Sequence, residues 1–162
     1  MEIESRMMST SDENIILTCL FTTIKPMNYW LMKTEPDTFS WDDLVKQGSS
    51  MWDGVRNYQA RNNIRKMKKG DTVFIYHSVN NPGIVGIAEI SKEFYADPTA
   101  KEGDWSVVDV RPVRKLKRSV SLQEIKQRLD LKEMYLVRSP RLSVQPVTLQ
   151  EYNKILDMEK QG

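Results

Sequence analysis

Trp52-Asp53-Gly54-Val55-Arg56-Asn57-Tyr58-Gln59-Ala60-Arg61-Asn62 runs from a loop into a helix. Gly54 lets the backbone turn sharply or approach a ligand closely. Asn57 offers a side-chain oxygen to the free N–H groups of a helix start. Beyond it, Ala60, Ile64 and Met67 fall at i, i+4 and i+7, one buried stripe. Lys69-Gly70-Asp71 closes this helix. Arg61, Arg65 and either Lys68 or Lys69 lie on its opposite face. The loop is rich in side chains that stack or make forked hydrogen bonds. It leads directly into an N-terminus with unpaired N–H groups and partial positive charge, suited to a phosphate or a carbonyl edge.

Towards the N-terminus, Tyr29-Trp30-Leu31-Met32 is an apolar run of strand length that ends at Lys33-Thr34-Glu35-Pro36, because proline cannot donate to a ladder. Ser40 caps a short helix through Asp42, Asp43, Leu44 and Val45, which Gly48 stops. Towards the C-terminus, Thr72 to Val79 reads as a strand with Val73 and Ile75 on one face and Phe74 and Tyr76 on the other. Asn80-Asn81-Pro82-Gly83 is a turn in which Gly83 supplies positive φ, and Ile84 to Ile90 returns beside it. A loop flanked by Pro98 and Gly103 precedes a long strand from Trp105 to about Leu116. Ser121-x-x-Glu124 and Thr148-x-x-Glu151 are capping boxes. The second starts a C-terminal helix with Leu149, Tyr152, Ile155 and Leu156 on its inner face, and Leu142-Ser143-Val144 is a last short strand stopped by Pro146. Short strands from distant parts of the chain alternate with short helices, so the fold class is α+β, a small curled sheet or barrel flanked by helices.

The 162 residues, 40% of them hydrophobic, suffice for one compact domain. Residues 1–26 carry a net charge of −2 and leave +4 on the remaining 136 residues. They hold an apolar run, Ile15 to Ile24, too short to cross a bilayer, and lack the features of a secretory signal. Residues 1–26 are accordingly expected to be a flexible extension and 27–162 the domain, in an intracellular protein. A single cysteine, Cys19, excludes an intramolecular disulfide, and a single histidine, His77, excludes a zinc site of Cys and His ligands. No cofactor is expected.

Six basic residues and no acid lie between Arg56 and Lys69, and Arg111, Arg114, Lys115, Lys117 and Arg118 end the long strand. A single such run is ordinarily a solvated face. Two runs, with Arg138 and Arg141 beyond them, point to a phosphate backbone as ligand. Two readings fit the aromatic loop: Trp52 stacks on a base, or Trp52 and Tyr58 pack the core while Arg56 pairs with Asp53. His77, at a strand end, serves either as a structural hydrogen-bonding group or as a general base partnered by Glu35 or Asp53.

These motifs together resemble the EVE domain family, which includes the eukaryotic thymocyte nuclear protein. Tyr29 to Pro36 resembles its opening signature YWLxKSEP, and Trp52 to Asn62 its most diagnostic block. Phe74-Ile75-Tyr76-His77-Ser78, Gly83 to Gly86, Tyr95-Ala96-Asp97-Pro98-Thr99, Trp105 to Val110 and Arg141 to Pro146 resemble further blocks, so the likeness covers about Met27 to Leu156. Thr34 stands where the family usually has Ser, and its added methyl narrows any pocket there.

The resemblance implies a PUA-like fold, a small mixed β-barrel flanked by short helices and related to the YTH readers of methylated adenine. It implies a non-catalytic reader of nucleic acid whose flipped, modified base, a modified cytosine in DNA before others, enters a barrel-mouth pocket. The implied pocket draws on Lys33, Thr34, Glu35, Trp52, Val55, Arg56, Asn57, Tyr58, Tyr76, His77, Ser78, Arg141, Leu142 and Ser143. Phosphates fall to Arg61, Arg65, Lys68, Lys69, Arg114 and Lys115. Neither metal nor membrane is expected to be involved, and the chain is expected to act as a monomer in the cytoplasm, or in the nucleus of a eukaryote. The alternatives are an enzyme acting on a modified nucleotide or RNA base through His77, and an RNA-binding module.

Overall fold

The computed structural model describes residues 26–162. The extension expected over 1–26 lies, Pro26 apart, outside the described residues. In chain order the elements are β1 (Tyr29–Thr34), α1 (Trp41–Gln47), β2 (Ser50–Met51), α2 (Tyr58–Lys66), β3 (Thr72–His77), β4 (Gly83–Ala96), β5 (Ser106–Ser121), α3 (Leu122–Gln127), a 3-10 turn (Leu129–Leu131), α4 (Tyr135–Arg138), β6 (Val144–Val147) and α5 (Leu149–Lys160). The strands form one six-stranded sheet in the order β2-β5-β4-β3-β1-β6. β1 runs parallel to β3, and the other pairs are antiparallel.

The expected barrel is not closed by strands, since β2 and β6 are the sheet's two edges. Instead α2 packs on both β5 and β6. Asn63 Nδ2 donates to the Val144 carbonyl on β6 at 2.8 Å, and Arg65 Nε to the Ser106 hydroxyl on β5 at 2.9 Å.

Strict alternation along β1 and β3 divides the interior into two cores. Trp30, Met32, Val73 and Ile75 meet Trp41, Leu44, Trp52, Ile64 and Met67 on one face. Leu31, Phe74 and Tyr76 meet Ile125, Ile155 and Met158 on the other. Each large aliphatic side chain so buried contributes about 1.5–3 kcal/mol.

α1 and α2 start where their caps place them. Ser40 and Asp43 close a reciprocal capping box, and Asn57 accepts from the Ala60 amide at 2.9 Å. Trp41 packs flat against β4 because position 86 is glycine: a Cβ there would stand 2.4 Å from the indole.

Several expected boundaries move. Positive φ at the β3–β4 turn is carried by Val79, Asn80 and Asn81, whereas Gly83 is a strand residue. Its missing side chain instead admits the Val120 carbonyl, which a Cβ would meet at 2.6 Å. β4 and β5 run well past their expected ends, because repeated register shifts break the alternation by which strands are recognised. β6 continues through Pro146, which an edge strand tolerates. Leu149 is 55% exposed rather than on the inner face of α5, where Tyr152 stacks against Tyr29 and Phe74.

Candidate nucleic-acid interface

The loop from Trp52 to Asn57 is anchored by Asp97. Its carboxylate, with no exposed surface, accepts from the Gly54 amide at 3.2 Å, Arg56 Nη1 at 2.8 Å, the Thr99 amide at 2.8 Å and the Thr99 hydroxyl at 2.6 Å. Burial alone would raise its pKa, but these donors outweigh burial and hold it at about 2. Arg56 is thus paired with Asp97, not with Asp53. The block around Asp97 and the block around Trp52 are two halves of one device.

Beside this loop lies a cleft of about 540 Å³, lined among others by Lys33, Thr34, Phe39, Gln47, Trp52 and Asp53. That volume lies within the range of small-molecule sites. Trp52 is 8% exposed, and Phe39 meets it edge to face, the ring centroids 6.1 Å apart. The Thr34 hydroxyl donates to the Phe39 carbonyl at 2.7 Å and shapes the turn that presents this ring. Lys33 Nζ donates to the Pro140 carbonyl at 2.7 Å, while its amide donates to Ser143. The Lys33 pKa is lowered by burial. Ser78 is spent on Thr34, to whose carbonyl its amide and hydroxyl both donate.

Of the pocket residues expected from sequence, Lys33, Thr34 and Trp52 line this cleft. Arg141 is exposed on the segment that holds Lys33. Val55 and Leu142 are buried in the core beneath. Tyr76 belongs to the opposite core, with Lys33 Nζ 5.6 Å from its ring, so Phe39 rather than Tyr76 is the aromatic partner of Trp52. Glu35 accepts the Thr38 and Phe39 amides through its backbone carbonyl. Thr38, Ser50 and Met51 complete the lining unannounced. Phe39 was legible only as the apolar residue before the Ser40 cap, a hydrophobic-staple position.

Among the described residues the His77 side chain accepts a hydrogen bond and donates none. Its Nε2 accepts the Trp41 amide at 3.0 Å, covering an open N–H of α1. Burial lowers its pKa, with Lys115 acting in the same direction and Asp42 against it. Among the described residues no hydrogen bond or ion pair joins His77 to Glu35 or Asp53.

The basic face of α2 is less bare than its sequence. Asp104 contributes an acid from the β4–β5 loop, 2.6 Å from Arg65 and 3.9 Å from Arg61. Lys68 pairs with Glu93 at 3.6 Å, and the Lys69 amide donates to the same carboxylate. Arg114 lies elsewhere: it makes a forked pair with the buried Glu159 of α5, at 2.7 and 2.9 Å. Lys115 faces Asp42 of α1 at 3.7 Å. The two basic runs therefore do not form one surface.

Tyr58, expected in the pocket, opens α2 at the surface with 67% of the residue exposed. Its ring stacks on Trp105 with centroids 5.2 Å apart and planes 22° from parallel. The Arg61 guanidinium stands 5.0 Å from Tyr58 and 5.9 Å from Trp105, and Arg56 5.6 Å from Trp105. Asn57 uses its side-chain oxygen as the helix cap.

Among the described residues there is no group of three or more His, Cys, Asp or Glu side chains able to hold a metal. Nor is any helix among them long and apolar enough to cross a membrane.

The open six-stranded sheet sealed by α2, with a cleft at the end of β1, defines a mixed α+β domain. Residues 28–158 match the EVE domain model, and the chain belongs to the EVE domain family. Mouse thymocyte nuclear protein 1 is 44% identical over 82% of this chain and 74% of its own. The solved structure of human THYN1 protein in complex with DNA containing 5-methylcytosine is 40% identical, covers 82% of this chain and 98% of that one, and superposes with a TM-score of 0.77. The YTH domain of the Zygosaccharomyces rouxii MRB1 protein, solved with N6-methyladenosine RNA, is 21% identical with a TM-score of 0.51 over 85% of this chain and 87% of that one. That likeness is one of fold alone.

Proposed function

We propose that this protein is a non-catalytic reader that binds nucleic acid carrying a modified base, with modified cytosine in DNA as the favoured ligand. One extruded nucleotide enters the cleft whose wall includes Phe39 and Trp52. The observation that carries this reading is that aromatic-walled cleft, in a domain 40% identical to a human protein solved with DNA containing 5-methylcytosine. Extrusion costs a few kcal/mol, which stacking against an aromatic wall, about 1–3 kcal/mol per base, offsets. A methyl group adds about 0.8 kcal/mol of burial, so preference over plain cytosine is modest, a few-fold. Thr38, Gln47 and Ser50 supply the polar groups that distinguish a base edge or a hydroxylated modification. Arg141 and Lys33 meet the phosphates beside the cleft, and the chain acts as a monomer.

The commitment of the His77 Nε2 lone pair to the Trp41 amide is in keeping with a non-catalytic reading. The name of the mouse relative places that protein in the nucleus, where a DNA ligand is at hand, and we assign this chain to the same compartment if its cell has one. The test is a binding panel of short oligonucleotides, DNA and RNA, identical except for one base: cytosine, methylcytosine, hydroxymethylcytosine or methyladenine. A preference for a modified cytosine is expected. Equal affinity for every member of the panel would remove the reading.

A further inference from the structure

We infer that Tyr58 and Trp105 form a second base-binding site, an open stacking platform for an unpaired nucleotide that flanks the one in the cleft. The inference rests on the nucleic-acid reading above, but its geometry is separate.

Large aromatic rings are ordinarily buried, and an exposed ring stacked on a half-buried one is the informative exception. Tyr58 is 67% exposed at the start of α2, and its inner face is taken by Trp105. Arg61 does not cover the outer face. Its distances to Tyr58 and Trp105, 5.0 and 5.9 Å, and the 5.2 Å between the rings make a nearly equilateral triangle. The guanidinium therefore sits beside the stack, leaving the outer face of Tyr58 to solvent. Arg56, 5.6 Å from Trp105, is held by Asp97. An aromatic face bordered by fixed guanidinium groups is the arrangement that binds single-stranded nucleic acid without regard to sequence.

The platform is also within reach of the cleft. Five residues lie between Trp52 and Tyr58, six steps that span at most about 22 Å of chain. A strand with one base in the cleft can therefore lay a neighbour on Tyr58. This assigns Tyr58 affinity without selectivity, in contrast to Trp52.

The experiment measures binding of single-stranded oligonucleotides bearing one 5-methylcytosine or cytosine, with an abasic site placed one, two or three nucleotides to either side. Wild-type protein is compared with Tyr58→Ala and Tyr58→Phe, thermal unfolding serving as the folding control. Tyr58→Ala is expected to weaken binding about five- to hundredfold, by the same factor for both bases, while Tyr58→Phe stays near wild type. At one abasic position the loss and the Tyr58→Ala loss should not add, because both remove the same stack. Unchanged affinity in Tyr58→Ala, or full additivity at every position, overturns the platform and leaves the surface to a protein partner. If the tyrosine effect persists without any preference for the methylated base, the platform stands and the modified-base reading fails. No binding of any oligonucleotide by the wild type overturns both.

Discussion

His77 Nε2 accepts the backbone N–H of Trp41 at 3.0 Å, so the end of β3 caps the start of α1 across 36 residues of sequence. The contact ties the strand beneath the cleft to the helix whose preceding turn carries Phe39. It requires the neutral imidazole, because a protonated one has no acceptor.

A pH dependence follows from this contact. Burial lowers the His77 pKa from its ordinary 6.5, Lys115 adding to the effect and Asp42 opposing it. The folded state thus disfavours protonation. The stabilisation is present above pH 6.5 and is lost as the pH falls through 6.5 towards the folded value. His77→Ala should cost about 0.5–2 kcal/mol at pH 7.5, and His77→Gln, which keeps an acceptor, less. Urea unfolding at pH 7.5 and 5.5 measures both. The gap between wild type and His77→Ala should shrink at the lower pH, and a constant gap would disprove the neutral cap.

Asp97 holds the loop that carries Trp52 and Arg56. Its pKa lies at about 2 against an ordinary 3.8, so its contribution of about 2 kcal/mol is complete above pH 4 and disappears as the pH falls towards 2. Asp97→Asn leaves Arg56 without its counter-charge and turns an amide group towards N–H donors. It should lower stability by about 2–3 kcal/mol at pH 7 and reduce oligonucleotide affinity through loosening of the 52–58 loop. Denaturant titration beside a binding curve checks this; an Asn variant as stable as wild type at pH 7 would contradict it.

Asp104 is exposed and holds both Arg61 and Arg65. Asp104→Asn removes a negative charge from beside two guanidiniums, which stay bonded to the backbone carbonyl of residue 104 but attract phosphate more strongly. Affinity for modified and unmodified strands should rise together, about threefold at low salt, with a steeper salt dependence. Salt-titrated binding would show it. Reduced affinity would mean that the pairs with Asp104 position the arginines for the ligand.

What sequence could show here was local. The caps at Ser40, Asn57, Ser121 and Thr148 act between residues three apart and fall where their spacing puts them. The alternation of β1 and β3 likewise sorts Trp30 and Val73 from Leu31 and Phe74 into two cores. Relations across the chain were hidden. Nothing near Arg61 in sequence announces Asp104, 43 residues away, and nothing near Arg56 announces Asp97. The cleft was half legible: its Lys33, Thr34 and Trp52 lie in recognisable blocks, while Phe39, Gln47 and Ser50 arrive through the packing of α1. Tyr58 sits within the most distinctive block yet stands at the surface away from the cleft, its inner face on Trp105.

The most direct test of the central claim is the ratio of dissociation constants for cytosine and 5-methylcytosine in otherwise identical single strands, measured for wild type and for Trp52→Ala. Wild type should prefer the methylated strand a few-fold, and Trp52→Ala should bring the ratio to one, both proteins remaining folded. A preference that survives loss of the indole, or none in the wild type, would contradict the cleft walled by Phe39 and Trp52 as the place where the base is read.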